Sequence, residues 1–199
     1  AKTLAQLSQR MVELLHDPRT AGTVVPRHLA AIVGVYPTLG IRWEPRKGGG
    51  GSSKGLELWK AVAVVVPSLQ GGMSPREYSV ILNAYAKMGF AFSPIHRNVT
   101  HMFEACVPSL VPKIAAEEDA FGPRDLSLVS NAYAKARAGM YARPLMQAVA
   151  LSAVRQMERC GGQDVALILN AYAKLEVSSP AVFEAAGPII VKDVAGYNC

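Results

Sequence analysis

The pentapeptide Asn-Ala-Tyr-Ala-Lys occurs three times, with its Asn at positions 83, 131 and 170, and nothing else in the 199 residues restricts the fold as tightly. Residues 81–87 and 168–174 are identical, and residues 129–135 differ from them only in the first two places. The steps are 48 and 39 residues, and the shorter is the length of a helical-hairpin repeat. Upstream, Pro75-Arg76, Pro123-Arg124 and Gly162-Gln163 hold matching places, so the register extends beyond the core motif. Setting Pro26-Arg27 on Pro75-Arg76 brings out a degenerate copy in which Tyr36 falls on Tyr85 and Gly40 on Gly89, while Gly34 stands for the Asn.

Each copy reads as two helices. The first opens with Pro at its first turn and acids close behind, as in Ser74-Pro75-Arg76-Glu77 and Gly122-Pro123-Arg124-Asp125. Tyr78, Ile81, Leu82, Tyr85 and Met88 then recur at three and four, one apolar stripe that Gly89 ends. Second helices are expected over residues 56–69, 98–114, 143–157 and 180–194, with residues 5–15 as the second helix of a partial leading repeat. Val-Pro-Ser-Leu at 66–69 and 107–110 marks kinks or ends, because Pro breaks a helix interior. The β-branched run at 62–66 is assigned to a helix on repeat alignment alone.

A hairpin of this length cannot bury its own apolar face, whereas stacked neighbours bury a continuous core. The expected fold is therefore all-α, an α-solenoid of about four and a half helical-hairpin repeats. A partial repeat occupies 1–20, a degenerate one 24–70 with a Gly-rich insertion at 46–55, and further repeats follow at 73–120, 121–160 and 161–199. The insertion reads as a flexible surface loop.

Composition narrows the function classes. Half the residues are apolar, enough for a sizeable core, and the longest unbroken apolar run, 61–66, is far short of the roughly 20 residues of a membrane span. No membrane span is expected. Cys106, Cys160 and Cys199 are odd in number and form no CxxC pair, which points to a reducing compartment without a disulfide framework or zinc site. A start at Ala1 fits either a removed presequence or a piece of a longer chain. Residues 48–55 lack the Gly-Lys-Ser/Thr ending of a phosphate-binding loop, the histidines form no ligand pair, and no nucleophile context is recognisable. No catalytic residue, cofactor, metal or small-molecule substrate is expected.

The net charge of +6 and pI near 9.3 suit a polyanionic partner. On the first helices Arg76, Ser79, Asn83 and Lys87 are spaced three, four and four apart, on a face opposite the apolar stripe. Arg124, Ser127, Asn131 and Lys135 repeat the set, and Gln163, Asn170 and Lys174 keep most of it. Stacking would align them into rungs of amide, hydroxyl and cation that contact phosphates and base edges of RNA. The competing reading has the Asn side chains bonding backbone or neighbouring repeats, Ala84 and Ala86 permitting close packing, and Lys answering the helix C-terminus. Tyr85, Tyr133 and Tyr172 fall on the apolar side and read as core. Residues 1–60 carry nine basic against four acidic side chains, and Arg42, Arg46, Lys47 and Lys54 gather around the Gly-rich loop as further RNA-contacting candidates.

The thrice-repeated Asn-Ala-Tyr-Ala-Lys in paired helices resembles the octotricopeptide and heptatricopeptide repeats of organellar RNA-binding proteins, relatives of the pentatricopeptide arrays. The tyrosine-containing form looks like that of mitochondrial proteins of apicomplexans and their dinoflagellate-like relatives, often found beside a RAP domain. The resemblance covers residues 26–199. It implies a mitochondrial matrix protein, or one of another organelle, that holds RNA as a processing factor or as a structural subunit of a mitochondrial ribosome with fragmented ribosomal RNA. The chain departs from the pattern in lacking a RAP domain, in having few repeats and in its uneven steps. So short an array suits a ribosomal subunit among protein neighbours better than base-by-base reading. The other class left open is a protein scaffold, for example in a respiratory complex.

Overall fold

A computed structural model describes residues 2–21, 23–40, 53–90, 97–116 and 120–197. The described residues are helical, with no strand among them. The helices are α1 (Lys2–His16), α2 (Pro18–Ala21), α3 (Pro26–Thr38), α4 (Ser53–Leu69), α5 (Pro75–Lys87), α6 (Arg97–Ala115), α7 (Pro123–Ala136), α8 (Arg143–Gln156), α9 (Gly162–Leu175) and α10 (Pro180–Tyr197).

Proline at the first turn, its fixed φ preorganised for a helix, starts α3, α5 and α7. Ser74 adds a capping box with Glu77, whose carboxylate takes the Ser74 backbone N–H at 2.7 Å. The C-termini close on a shared geometry. Phe90, Ala138 and Val177 donate their backbone N–H to the carbonyls of Tyr85, Tyr133 and Tyr172, and Gly89, Arg137 and Glu176 to those of Ala86, Ala134 and Ala173. These pairs are Schellman motifs, which require a left-handed residue just past the helix. Gly40 and Gly89 fill that place in α3 and α5 with φ of 70° and 87°, whereas Arg137 and Glu176 hold it in α7 and α9 with φ of 59° and 54°.

The helices pack in two rows. In one, α3, α5, α7 and α9 each contact the next, and in the other α4, α6 and α8 do the same, with α1 against α4 and α10 against α8. The core lies between the rows. Tyr78, Ile81, Leu82, Tyr85 and Met88 of the expected stripe are all buried there, with Tyr85 against Trp59 of the second row. Residues 62–66 are helical, as the repeat alignment requires, and Val62 and Val66 are fully buried.

Two expectations change. The second helix of the degenerate copy begins at Ser53, so residues 53–55, including Lys54, belong to α4 and not to the loop. Val-Pro-Ser-Leu at 66–69 coincides with the end of α4 at Leu69, whereas at 107–110 it lies inside α6, which runs on past Pro108 and Pro112, as α10 does past Pro188. Cys106, Leu110 and Ile114, buried on either side of Pro108 and Pro112, hold α6 helical despite the lost backbone donors. Residues 1, 22, 41–52, 91–96, 117–119 and 198–199 lie outside the described residues, and with them Arg42, Arg46, Lys47 and Cys199.

Because a non-glycine residue held left-handed costs on the order of 1 kcal/mol, Glu176→Gly is expected to stabilise the protein by about that amount, and Gly40→Ala to destabilise it similarly. Denaturant midpoints at constant m-value check both; a destabilised Glu176→Gly variant contradicts the assignment.

Candidate nucleic-acid interface

The tyrosine of each motif reaches across the core. Tyr85 donates its hydroxyl to the carbonyl of Trp59 at 2.6 Å, Tyr133 to Phe103 at 2.8 Å and Tyr172 to Met146 at 2.6 Å. In the degenerate copy Tyr36 pairs with Ser8 of α1. Each first helix is thus fastened to the second-row helix before it. Trp59 stands edge-on between Tyr36 and Tyr85, with ring centroids at 5.5 and 4.7 Å. Burial pushes the Tyr85, Tyr133 and Tyr172 phenols above their ordinary range, and the Cys106 thiol up to about 12.

Ser79, Asn83, Ser127 and Asn131 of the expected rungs do not face outward. Ser79 donates to Asp125 Oδ1 at 2.6 Å and Ser127 to Asp164 Oδ1 at 2.7 Å, and both serines are fully buried. Asn131 donates to Asn83 Oδ1 at 3.3 Å, with the two residues only 4% and 8% exposed. The face opposite the apolar stripe is therefore the seam between successive first helices. The neighbouring helix supplies the hydrogen bonds that let these polar residues occupy it, and Asn131 Oδ1 alone of their side-chain atoms is buried there without a partner. Asp125 and Asp164 are the partners that a reading of single helices passes over. The available signal is spacing, since each Asp follows its Ser by two residues less than the repeat step.

The cations behave differently. Lys87, Lys135 and Lys174 are exposed at the ends of successive first helices, and Arg76 and Arg124 are exposed at the starts. Lys135, Arg137 and Lys174 line a cleft of about 590 Å³ between the C-terminal ends of α7 and α9, together with one acid, Glu176. Arg76, Lys87 and Arg124 line a second cleft of about 280 Å³. Arg124 also meets Asp164 at 3.0 Å and Gln163 at 3.3 Å, with its side chain 48% exposed. Asn170 and Gln163 are exposed on α9, whereas the side chain of Lys54 lies outside the described residues. The structure thus brings cations together on an accessible face and removes Ser79, Ser127, Asn83 and Asn131 from it.

No protein-family model matches the chain, and no curated protein matches it significantly. Among the described residues, no helix is long and apolar enough to cross a membrane.

Ser127→Ala leaves Asp164 without its buried donor, and a loss of about 1–3 kcal/mol in stability is expected by thermal or chemical unfolding. The buried phenols set an alkaline limit. Their folded values lie above the ordinary 10.0, so their contribution is whole below pH 10 and shrinks as pH rises beyond it. Phenolate absorbance and circular dichroism are expected to change together in one cooperative alkaline step; non-cooperative ionisation of all tyrosines centred on 10.0 with helicity intact contradicts the packing.

Proposed function

We propose that this chain is an α-solenoid of about four and a half hairpin repeats that holds RNA by its phosphate backbone, as a non-catalytic structural subunit of a mitochondrial ribosome. The observation that supports it is the division of labour within the repeated motif. The side chains of Ser79, Asn83, Ser127 and Asn131 are spent between α5, α7 and α9, while Lys87, Lys135 and Lys174 stay exposed on successive helices with Arg76 and Arg137 beside them. Cations without accessible amides at Asn83 and Asn131 favour contacts that position a strand over contacts that read it. The mitochondrial and ribosomal part rests on the likeness of Asn-Ala-Tyr-Ala-Lys to organellar RNA-binding repeats.

A second reading, a protein scaffold, has its own observation. Val64 on α4, Leu151 and Val154 on α8 and Val191 on α10 are exposed apolar side chains of the second row. Such a face suits protein neighbours, and in a ribosomal subunit both faces are used.

The salt dependence of RNA binding tests the proposal. Each phosphate contact to a single strand adds about 0.7 to the slope of log K against log salt, so replacing Lys87, Lys135 and Lys174 together by Gln is expected to flatten it by about two units. An unchanged slope, or no affinity for RNA in the unaltered chain, overturns it. Crosslinking in organello then separates the two readings, since a scaffold yields a stable protein complex without attached RNA.

A further inference from the structure

Arginine and lysine stand at opposite ends of the same helices. Arg76 and Lys87 in α5, and Arg124 and Lys135 in α7, are each 11 residues apart. That is close to three turns, so both members of a pair share a face and lie about 16 Å apart along the axis. Arg76 and Lys87 indeed border one cleft from the two ends of α5. The arginines continue to Arg27 at the start of α3 and the lysines to Lys174 at the end of α9, and all of these cations are exposed. Because successive first helices lie side by side, they form two rails, one across the starts of α3, α5 and α7 and one across the ends of α5, α7 and α9.

The band between the rails is neutral and closed. Ser79, Asn83, Ser127 and Asn131 are buried along it, with Gly34, Val80 and Leu128 beside them. The acids at the helix starts are turned to other partners, Glu77 to Ser74, Asp125 to Ser79, and Asp164 to Ser127 and Arg124. Arg124 makes its contacts with Asp164 and Gln163 through one nitrogen, which leaves further guanidinium donors. At the opposite ends, Glu176 beside Lys174 is matched by Arg137 beside Lys135. Stacking surfaces are missing from this face. Tyr36, Tyr78, Tyr85, Tyr133 and Tyr172 are buried, and among the described residues of α3, α5, α7 and α9 no Phe, Tyr or Trp is exposed.

Proteins that bind single strands combine a basic groove with aromatic side chains on which unpaired bases stack. A face with two lines of cations and no exposed aromatic offers no such platform. It suits bases already stacked on one another and two backbones presented together. A-form RNA has a wide, shallow minor groove, recognised through phosphates and 2′-hydroxyls on both of its sides. A flush band of packed helices can lie over a shallow groove, whereas the deep major groove of B-DNA is read by an element that enters it. We propose that this face grips a double-helical segment of RNA across its minor groove, with one backbone on Arg27, Arg76 and Arg124 and the other on Lys87, Lys135 and Lys174. This rests on the RNA-holding reading and names the form of RNA that is held.

A blunt RNA duplex of about 16 base pairs, each of its strands alone, and the DNA duplex of the same sequence are titrated against the whole chain by fluorescence anisotropy at several salt concentrations. The RNA duplex is expected to bind about tenfold tighter than either strand, and about tenfold tighter than the DNA duplex, whose similar charge isolates the effect of groove shape. Arg27→Gln with Arg76→Gln, both at exposed positions, is expected to weaken duplex binding and flatten its salt dependence by about two units, with helicity unchanged. Lys87→Gln with Lys174→Gln is expected to do the same. Hydroxyl-radical cleavage is expected to show protection on both strands, facing each other across one minor groove. Single strands bound as tightly as the duplex, equal affinity for RNA and DNA duplexes, or a duplex affinity indifferent to the arginine pair overturns the proposal. A chain that binds only single strands loses the duplex and keeps the RNA-holding reading, whereas a chain that binds no RNA in any form loses both.

Discussion

The reach of a tyrosine hydroxyl to a carbonyl on the preceding second-row helix is the contact on which the remaining arrangement depends. It recurs at Tyr85, Tyr133 and Tyr172, and the degenerate copy keeps a counterpart in Tyr36 with Ser8. A buried phenol must find a partner, and here the partner is a backbone atom whose position does not depend on the side chain it carries. Trp59, Phe103 and Met146 can therefore differ while the fastening stays the same. The carbonyl of each motif tyrosine meanwhile closes the C-terminus of its own helix, so one residue sets both where the helix stops and what it leans on.

With the first row held in this way, its helices touch along the line of Ser and Asn. The hydrogen bonds there are directional, and they fix the rotation of each helix about its axis. Alanines flank the line, with Ala84, Ala86, Ala132 and Ala134 all buried, which lets backbones approach closely enough for short side chains to meet. The last first-row helix, α9, also exposes Ala166, Asn170 and Ala173, but in α5 and α7 the exposed residues are confined to the two ends. Those ends carry Arg and Lys, and the accessible chemistry of this face is accordingly cationic.

Much of the fold was legible in the sequence, because repeat register and proline starts are properties of the chain itself. The helices begin at Pro26, Pro75 and Pro123 as the residues indicate, and the tyrosines are core. The seam was not legible in the same way. Hydropathy within one helix marks Ser79 and Asn83 as polar and hence outward, yet their partners lie 46 and 48 residues further on, in another helix. A polar residue satisfied by a distant polar residue looks identical, locally, to one satisfied by water. The cations were easier, since Lys87, Lys135 and Lys174 are too strongly hydrated to be buried without a counter-charge. Arg137 is not marked by the repeat, because the aligned positions hold Gly40, Gly89 and Glu176, and its role in the fold is a backbone one.

The serine-to-aspartate bonds run in one direction, from each first helix to the start of the one that follows. Asp125 and Asp164 sit in the first turns of α7 and α9, so the initiation of each later helix is completed by the repeat before it. Stability of this kind resides in the junctions more than in the units. A first-row helix that came away would therefore take with it a hydrogen bond at the start of the next one, at Asp125 or Asp164.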